Sequence, residues 1–119
     1  MKPKLDKQFS EATKLQDAGQ LESAKSLLLD LSEKDPQSTR ILAALGLVCY
    51  DLELWEEAVG VFKRAIKLAP GLEGVSKGLF HSLWKLERRV EALEEIKRFQ
   101  SISDSKDYEE IVKEINEKW

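Results

Sequence analysis

The tightest constraint on this chain is a period. Pro36 and Pro70 stand 34 residues apart, and proline marks where helices end. The same shift carries Ala24 to Ala58 and Ala92, Leu28 to Phe62 and Ile96, and Leu31 to Ala65 and Phe99. Pro70 shifts to Asp104, which starts a new segment by capping it. Repetition on this scale means that each unit is one supersecondary structure, whose apolar face is buried only by its neighbours.

Each unit holds two amphipathic helical patterns. In the middle unit Leu42, Leu45, Val48 and Cys49 share one face, and after Leu52-Glu53-Leu54 a second helix carries Ala58, Phe62, Ala65 and Ile66. The first unit repeats this with Phe9, Ala12 and Leu15, a turn at Gly19, then Leu21, Ala24, Leu28 and Leu31. The third has Leu79, Leu83 and Leu86, a polar turn near Glu87-Arg88, then Ala92, Ile96 and Phe99. Period-two alternation is not sustained anywhere, so no sheet is expected. Alanine and glycine at helix crossings let backbones approach, and Phe62 fills the space between Ala58 and Ala65.

The spacing Leu42-x2-Leu45-Gly46-x2-Cys49, then Ala58-x3-Phe62-x2-Ala65 and Pro70, resembles a tetratricopeptide repeat. Leu42 stands for the usual Trp and Cys49 for the usual Tyr. The first unit matches at Gly19, Ala24 and Pro36 but has Glu11-Ala12 for the Leu-Gly pair; the third departs at Phe80, Arg89 and Asp104. The resemblance implies an all-α fold, a right-handed superhelical stack of three such hairpins. The repeats fall at about 5–38, 39–72 and 73–104 within a single domain, 1–119. With the segment described next, seven helices are expected, near 4–18, 21–34, 37–51, 55–68, 72–86, 89–102 and 105–118.

The last stretch, DSKDYEEIVKEINEKW, places Tyr108, Ile111, Val112, Ile115 and Trp119 on one stripe. Asp104 or Ser105 caps it. A solenoid needs a terminal element with a polar outer side, so residues 105–118 read as a capping helix over Val90, Leu93 and Phe99 or their neighbours.

Composition closes several alternatives. Nineteen basic and twenty-two acidic residues leave a net charge of -3, which gives no electrostatic reason to bind nucleic acid or an anionic membrane. Cys49 is the only cysteine, so no intrachain disulfide forms, and its place on an apolar face makes it a buried structural thiol. The start lacks a signal-peptide run, and Ile41–Tyr50 is too short to span a bilayer; a cytoplasmic location is expected. No metal, phosphate or nucleophile motif is present. His81 stands alone as the single histidine, and Glu56-Glu57, Glu94-Glu95 and Glu109-Glu110 read as solvated faces. Gly71-x2-Gly74 reads as a turn between helices. No catalytic, metal or cofactor site is expected, and the chain reads as no enzyme.

The informative surface is the inner one. The resemblance implies that the first helix of each repeat lines it and that it binds peptides or partner helices. By register it gathers Asp6, Phe9, Thr13 and Gln16, then Arg40, Ala43, Leu47, Tyr50 and Asp51, then Lys77, His81, Trp84 and Lys85. Tyr50 and Trp84 occupy matching slots one repeat apart, so both are expected in one concavity. Acidic flanks on a ligand would meet Arg40, Lys77 or Lys85. One subfamily clamps the carboxylate ends of chaperone peptides through Lys, Asn and Arg; the matching positions here hold Phe9, Thr13, Ala44, Gly74 and Gly78, which excludes that clamp. Gly78 serves either close packing or a ligand backbone.

The function expected is a protein-binding module, a monomer or weak homodimer acting as adaptor, small chaperone or immunity-type inhibitor on a partner segment. The alternative is a scaffold that self-associates through its terminal helices.

Overall fold

The computed structural model describes residues 2–118. The elements are α1 Pro3–Asp17, α2 Leu21–Lys34, α3 Thr39–Asp51, α4 Trp55–Leu68, α5 Glu73–Lys85, α6 Arg89–Gln100 and α7 Lys106–Lys118. No strand occurs among the described residues, and no described helix is long and apolar enough to cross a membrane. Trp119, assigned by sequence to the stripe of α7, lies outside them.

The period is written into the turns. Gly19, Glu53 and Glu87, 34 residues apart, adopt left-handed φ of 78°, 63° and 60°. In each turn the carbonyl of Leu15, Cys49 or Leu83 accepts from the N–H of Gln20, Leu54 or Arg88, at 2.9, 2.9 and 3.0 Å. This closes the helix end with the orphan carbonyl satisfied. A side chain in that region costs roughly 1–2 kcal/mol, which Glu53 and Glu87 carry because the hairpin packing over-determines the turn. The hairpins α1–α2, α3–α4 and α5–α6 stack in order, and α1, α3 and α5 stand side by side.

Ala24, Ala58 and Ala92 are completely buried at equivalent places, so the helices cross where the side chain is smallest. Phe62 of α4 is wedged between two glycines. A Cβ on either Gly46 of α3 or Gly78 of α5 would lie 2.6 Å from its Cε1. Gly78 therefore serves packing.

Serine caps two helix starts: Ser38 Oγ accepts from Ile41 N at 3.3 Å, and Ser105 Oγ, one of the two caps expected for the last helix, accepts from Tyr108 N at 3.1 Å. Gly74 lies in the first turn of α5 rather than in the preceding turn.

The seat of α7 meets the expectation at Phe99 and departs from it at Val90 and Leu93. Tyr108 is completely buried, with its ring 5.7 Å from that of Phe99 and 6.0 Å from that of Phe80. Val90 and Leu93 stay open, 72% and 39% exposed. Helix α6 turns Ala92, Ile96 and Phe99 inward, and at about 100° per residue Val90 points away from that face.

Glu95 also departs from the solvated reading: it is 6% exposed. Arg98 grips it in a fork at 2.8 and 2.7 Å, and Ser76 Oγ donates to it at 2.6 Å. Because that Ser76 proton is committed to a carboxylate, Tyr108 OH is the donor across the 2.7 Å contact to Ser76 Oγ. Arg98 also donates to the carbonyl of Pro70 at 3.0 Å. The chain of bonds ties α7, α5, α6 and the α4–α5 turn together, and burial pushes the Tyr108 phenol far above its ordinary range.

Candidate partner-binding groove

The side-by-side first helices leave a trough between α3 and α5. Ala43, Ala44, Leu47 and Tyr50 form one bank; Gly74, Val75, Lys77, Gly78 and His81 form the other. Gln16 of α1 closes one end, Leu72 and Glu73 stand at the rim, and an edge of the Phe62 ring shows at the floor. The groove encloses about 730 Å³. It exists because α5 presents glycine twice, one turn apart. Gly78 admits the Phe62 ring, and a Cβ on Gly74 would meet nothing within 4 Å. Leu47 and Leu72 remain 47% and 44% exposed, so unpartnered apolar surface faces water at both edges.

A smaller hollow of about 330 Å³ lies beside it, between α5 and α7, lined by Phe80, His81, Trp84, Ile111, Glu114, Ile115 and Lys118. His81 belongs to both. Protein crowding, then the ammonium groups of Lys77 and Lys85, hold its imidazole below the usual histidine range, although the ring is open to water. Between these hollows is a polar recess with Lys77, Asp107 and Glu110.

The structure distributes the sequence-derived candidates unevenly. Ala43, Leu47, Tyr50, Lys77 and His81 line the groove together. Trp84 instead faces the α7 hollow, stacked on Phe80 at 5.6 Å and 27°, with the Arg89 guanidinium 5.0 Å from its ring. Phe9 sits beneath the Arg40 guanidinium at 4.7 Å. Thr13 donates its hydroxyl proton to the Ser10 carbonyl at 2.9 Å. Lys85 reaches back to the neighbouring hairpin, its Nζ 5.8 Å from the Trp55 ring, and Lys77 is held by Asp107 and Glu73. Sequence reasoning missed Leu72 at the rim and placed Phe62 wholly inside the stack. The signal for the trough was present as the Gly74 and Gly78 pair on one helix face.

Cys49 is 1% exposed, with Sγ 3.9 Å from a Glu57 carboxylate oxygen. Burial first, then that carboxylate, push its thiol up to about 11, which leaves it protonated and unreactive at neutral pH. Among the described residues no group of three His, Cys, Asp or Glu side chains is placed to hold a metal ion.

No protein-family model matches the sequence, and no curated protein does. Solved structures do. The Yersinia enterocolitica type III secretion translocator chaperone SycD, in an alternative dimer, superposes with a TM-score of 0.82 at 15% identity over 98% of this chain and 89% of its own. A point mutant of MamA gives 0.78 at 21% identity, covering 87% of this chain and 76% of that one. MamA AMB-1 gives 0.73 at 23% identity over 81% of this chain, which spans only 54% of that protein. Identities this low speak for fold, and with the repeated turns and buried alanines they agree on one: the chain folds as a tetratricopeptide-type helical repeat.

Proposed function

We propose that this chain is a protein-binding module whose groove between α3 and α5 holds a peptide segment or helix of a partner protein. The observation that carries this is the groove itself: about 730 Å³, open, and lined mainly by apolar side chains and glycine, with Gln16, Glu73, Lys77 and His81 as its polar groups. Concave apolar sites with a few polar groups at the rim are where ligands seat. The likeness to SycD, a secretion chaperone, supports a small chaperone or adaptor over an enzyme; an immunity-type inhibitor would use the same surface. A reducing compartment such as the cytoplasm suits the unpaired Cys49. Trp84 belongs to this reading as part of a secondary contact with α7, and Phe9, Thr13, Arg40 and Lys85 as its margins.

Capture of partners followed by titration tests it. Leu47→Asp puts a charge on an exposed bank without disturbing the core, and Tyr50→Ala removes the one aromatic side chain of that bank. Tyr50→Ala is expected to weaken binding by about 1–2 kcal/mol, close to tenfold, and Leu47→Asp to abolish it. Lys67→Glu, on the exposed side of α4, should leave affinity unchanged. Equal capture by wild type and both groove variants, all folded, would place the binding surface elsewhere.

A second reading, self-association through the terminal helices, draws on the half-buried stripe Ile111, Val112 and Ile115 of α7. It predicts a concentration-dependent dimer in sedimentation that Ile115→Asp dissolves while groove variants do not.

A further inference from the structure

The inner face is unequal in charge. Around the groove and its two adjoining hollows stand four carboxylates, Glu73, Asp107, Glu110 and Glu114, against two ammonium groups, Lys77 and Lys118. Both ammonium groups are already engaged, Lys77 by Glu73 and Asp107, and Lys118 by Glu114 at 3.0 Å. Glu110 is exposed on α7 and makes no ion pair among the described residues. Farther out, Arg40 leans over Phe9 and Lys85 over Trp55, and Lys106 and Lys113 of α7 stand outside the lining of the groove and its hollows. The N-terminus of α5, which opens beside the groove and would otherwise draw an anion, carries Glu73 in its first turn.

Charge complementarity steers encounter and rejects wrong partners. Acidic side chains beside a ligand's apolar anchor would meet this carboxylate excess, with both lining ammonium groups already paired. Lysine or arginine at the same place would complete it. Resting on the groove reading above, we propose that the occupant is a protein segment joining a bulky apolar anchor to adjacent basic side chains. The anchor seats over Phe62 in the trough left by Gly74 and Gly78, and the basic groups face Glu110 and Glu114.

A random dodecapeptide library displayed on phage, panned against wild type and Gly74→Leu, tests this. The open space around Gly74 accommodates the leucine, which fills the trough and removes a helix-weakening glycine, so the variant stays folded. Peptides held by wild type and lost on Gly74→Leu are expected to carry a Leu, Ile, Met or Phe anchor. In them Lys and Arg should exceed Asp and Glu by about fivefold over the unselected library. A synthetic copy of the leading peptide should lose about tenfold in affinity on combined Glu110→Lys and Glu114→Lys, with the loss shrinking at high salt. If groove-dependent peptides are acidic or show no charge bias, or if the double variant binds equally well, the charge assignment is overturned while the groove reading stands. If no selected peptide depends on Gly74, the groove reading fails and this inference falls with it.

Discussion

Tyr108→Ala is expected to lower the melting temperature by on the order of 10–20 °C, corresponding to roughly 3–5 kcal/mol for a fully buried large aromatic side chain. The ring is completely buried between Phe80 and Phe99, and few other side chains of α7 go as deep. Ile111, Val112 and Ile115 are only half-buried. Without the ring the helix loses its anchor, and amide exchange across residues 106–118 should rise before the rest of the stack responds. Tyr108→Phe keeps the ring and loses only the bond from the phenol to Ser76, at a cost of about 1 kcal/mol. Deleting residues 104–119 should match or exceed the alanine variant and promote aggregation, because Phe80 and Phe99 lose their cover. Thermal melts followed by circular dichroism check this. An alanine variant that melts within about 3 °C of wild type would show that Tyr108 does not hold the helix in place.

The repeat was legible because it is enforced twice, by small residues at crossings and by turn geometry. Ala24, Ala58 and Ala92 could be aligned from sequence, and Gly19, Glu53 and Glu87 keep one left-handed conformation although only the first is glycine. The seat of α7 was less legible. Helix α6 offers two apolar sets, Val90 with Leu93 and Ala92 with Ile96 and Phe99, and periodicity alone does not say which one the last helix meets. The third unit also exchanges volume with the second. Gly46 and Phe62 become Phe80 and Ile96 one period later, so its large ring comes from α5 instead of α6. That ring draws Tyr108 and Trp84 toward it, which turns Trp84 from the main groove to the α7 hollow. Glu95 read as solvated because its buried partners, Ser76 and Tyr108, are distant in sequence. The groove was half visible. Register names the face of a helix, and so brought Ala43, Leu47, Tyr50, Lys77 and His81 to one face. It does not say which basic side chains will fold back onto a neighbouring ring or carboxylate, as Arg40, Lys77 and Lys85 do.

The second large effect concerns Phe62, which belongs to both the core and the groove. It is 3% exposed, so Phe62→Ala is expected to cost roughly 3–5 kcal/mol and to deepen the groove floor. The glycines beside it should behave unlike other helix glycines. Gly60, on the open side of α4, has nothing within 4 Å of an added Cβ, and Gly60→Ala should stabilise by up to about 1 kcal/mol. Gly78→Ala gains the same backbone term, yet its Cβ would lie 2.6 Å from Phe62 Cε1. Retreat of the ring is limited, because it would move toward Gly46, where an added Cβ would likewise lie 2.6 Å from Cε1. Overpacking of this kind costs roughly 1–3 kcal/mol, so Gly78→Ala should be net destabilising. Phe62→Leu removes the outer ring atoms that make the clash. The double variant Gly78→Ala with Phe62→Leu should therefore be more stable than the sum of the single effects predicts, with a coupling of about 1–2 kcal/mol. Denaturant melts of the four species give the cycle. If Gly78→Ala stabilises as Gly60→Ala does, or if the cycle shows no coupling, the ring is free to move and the trough beside α5 is not held open by glycine.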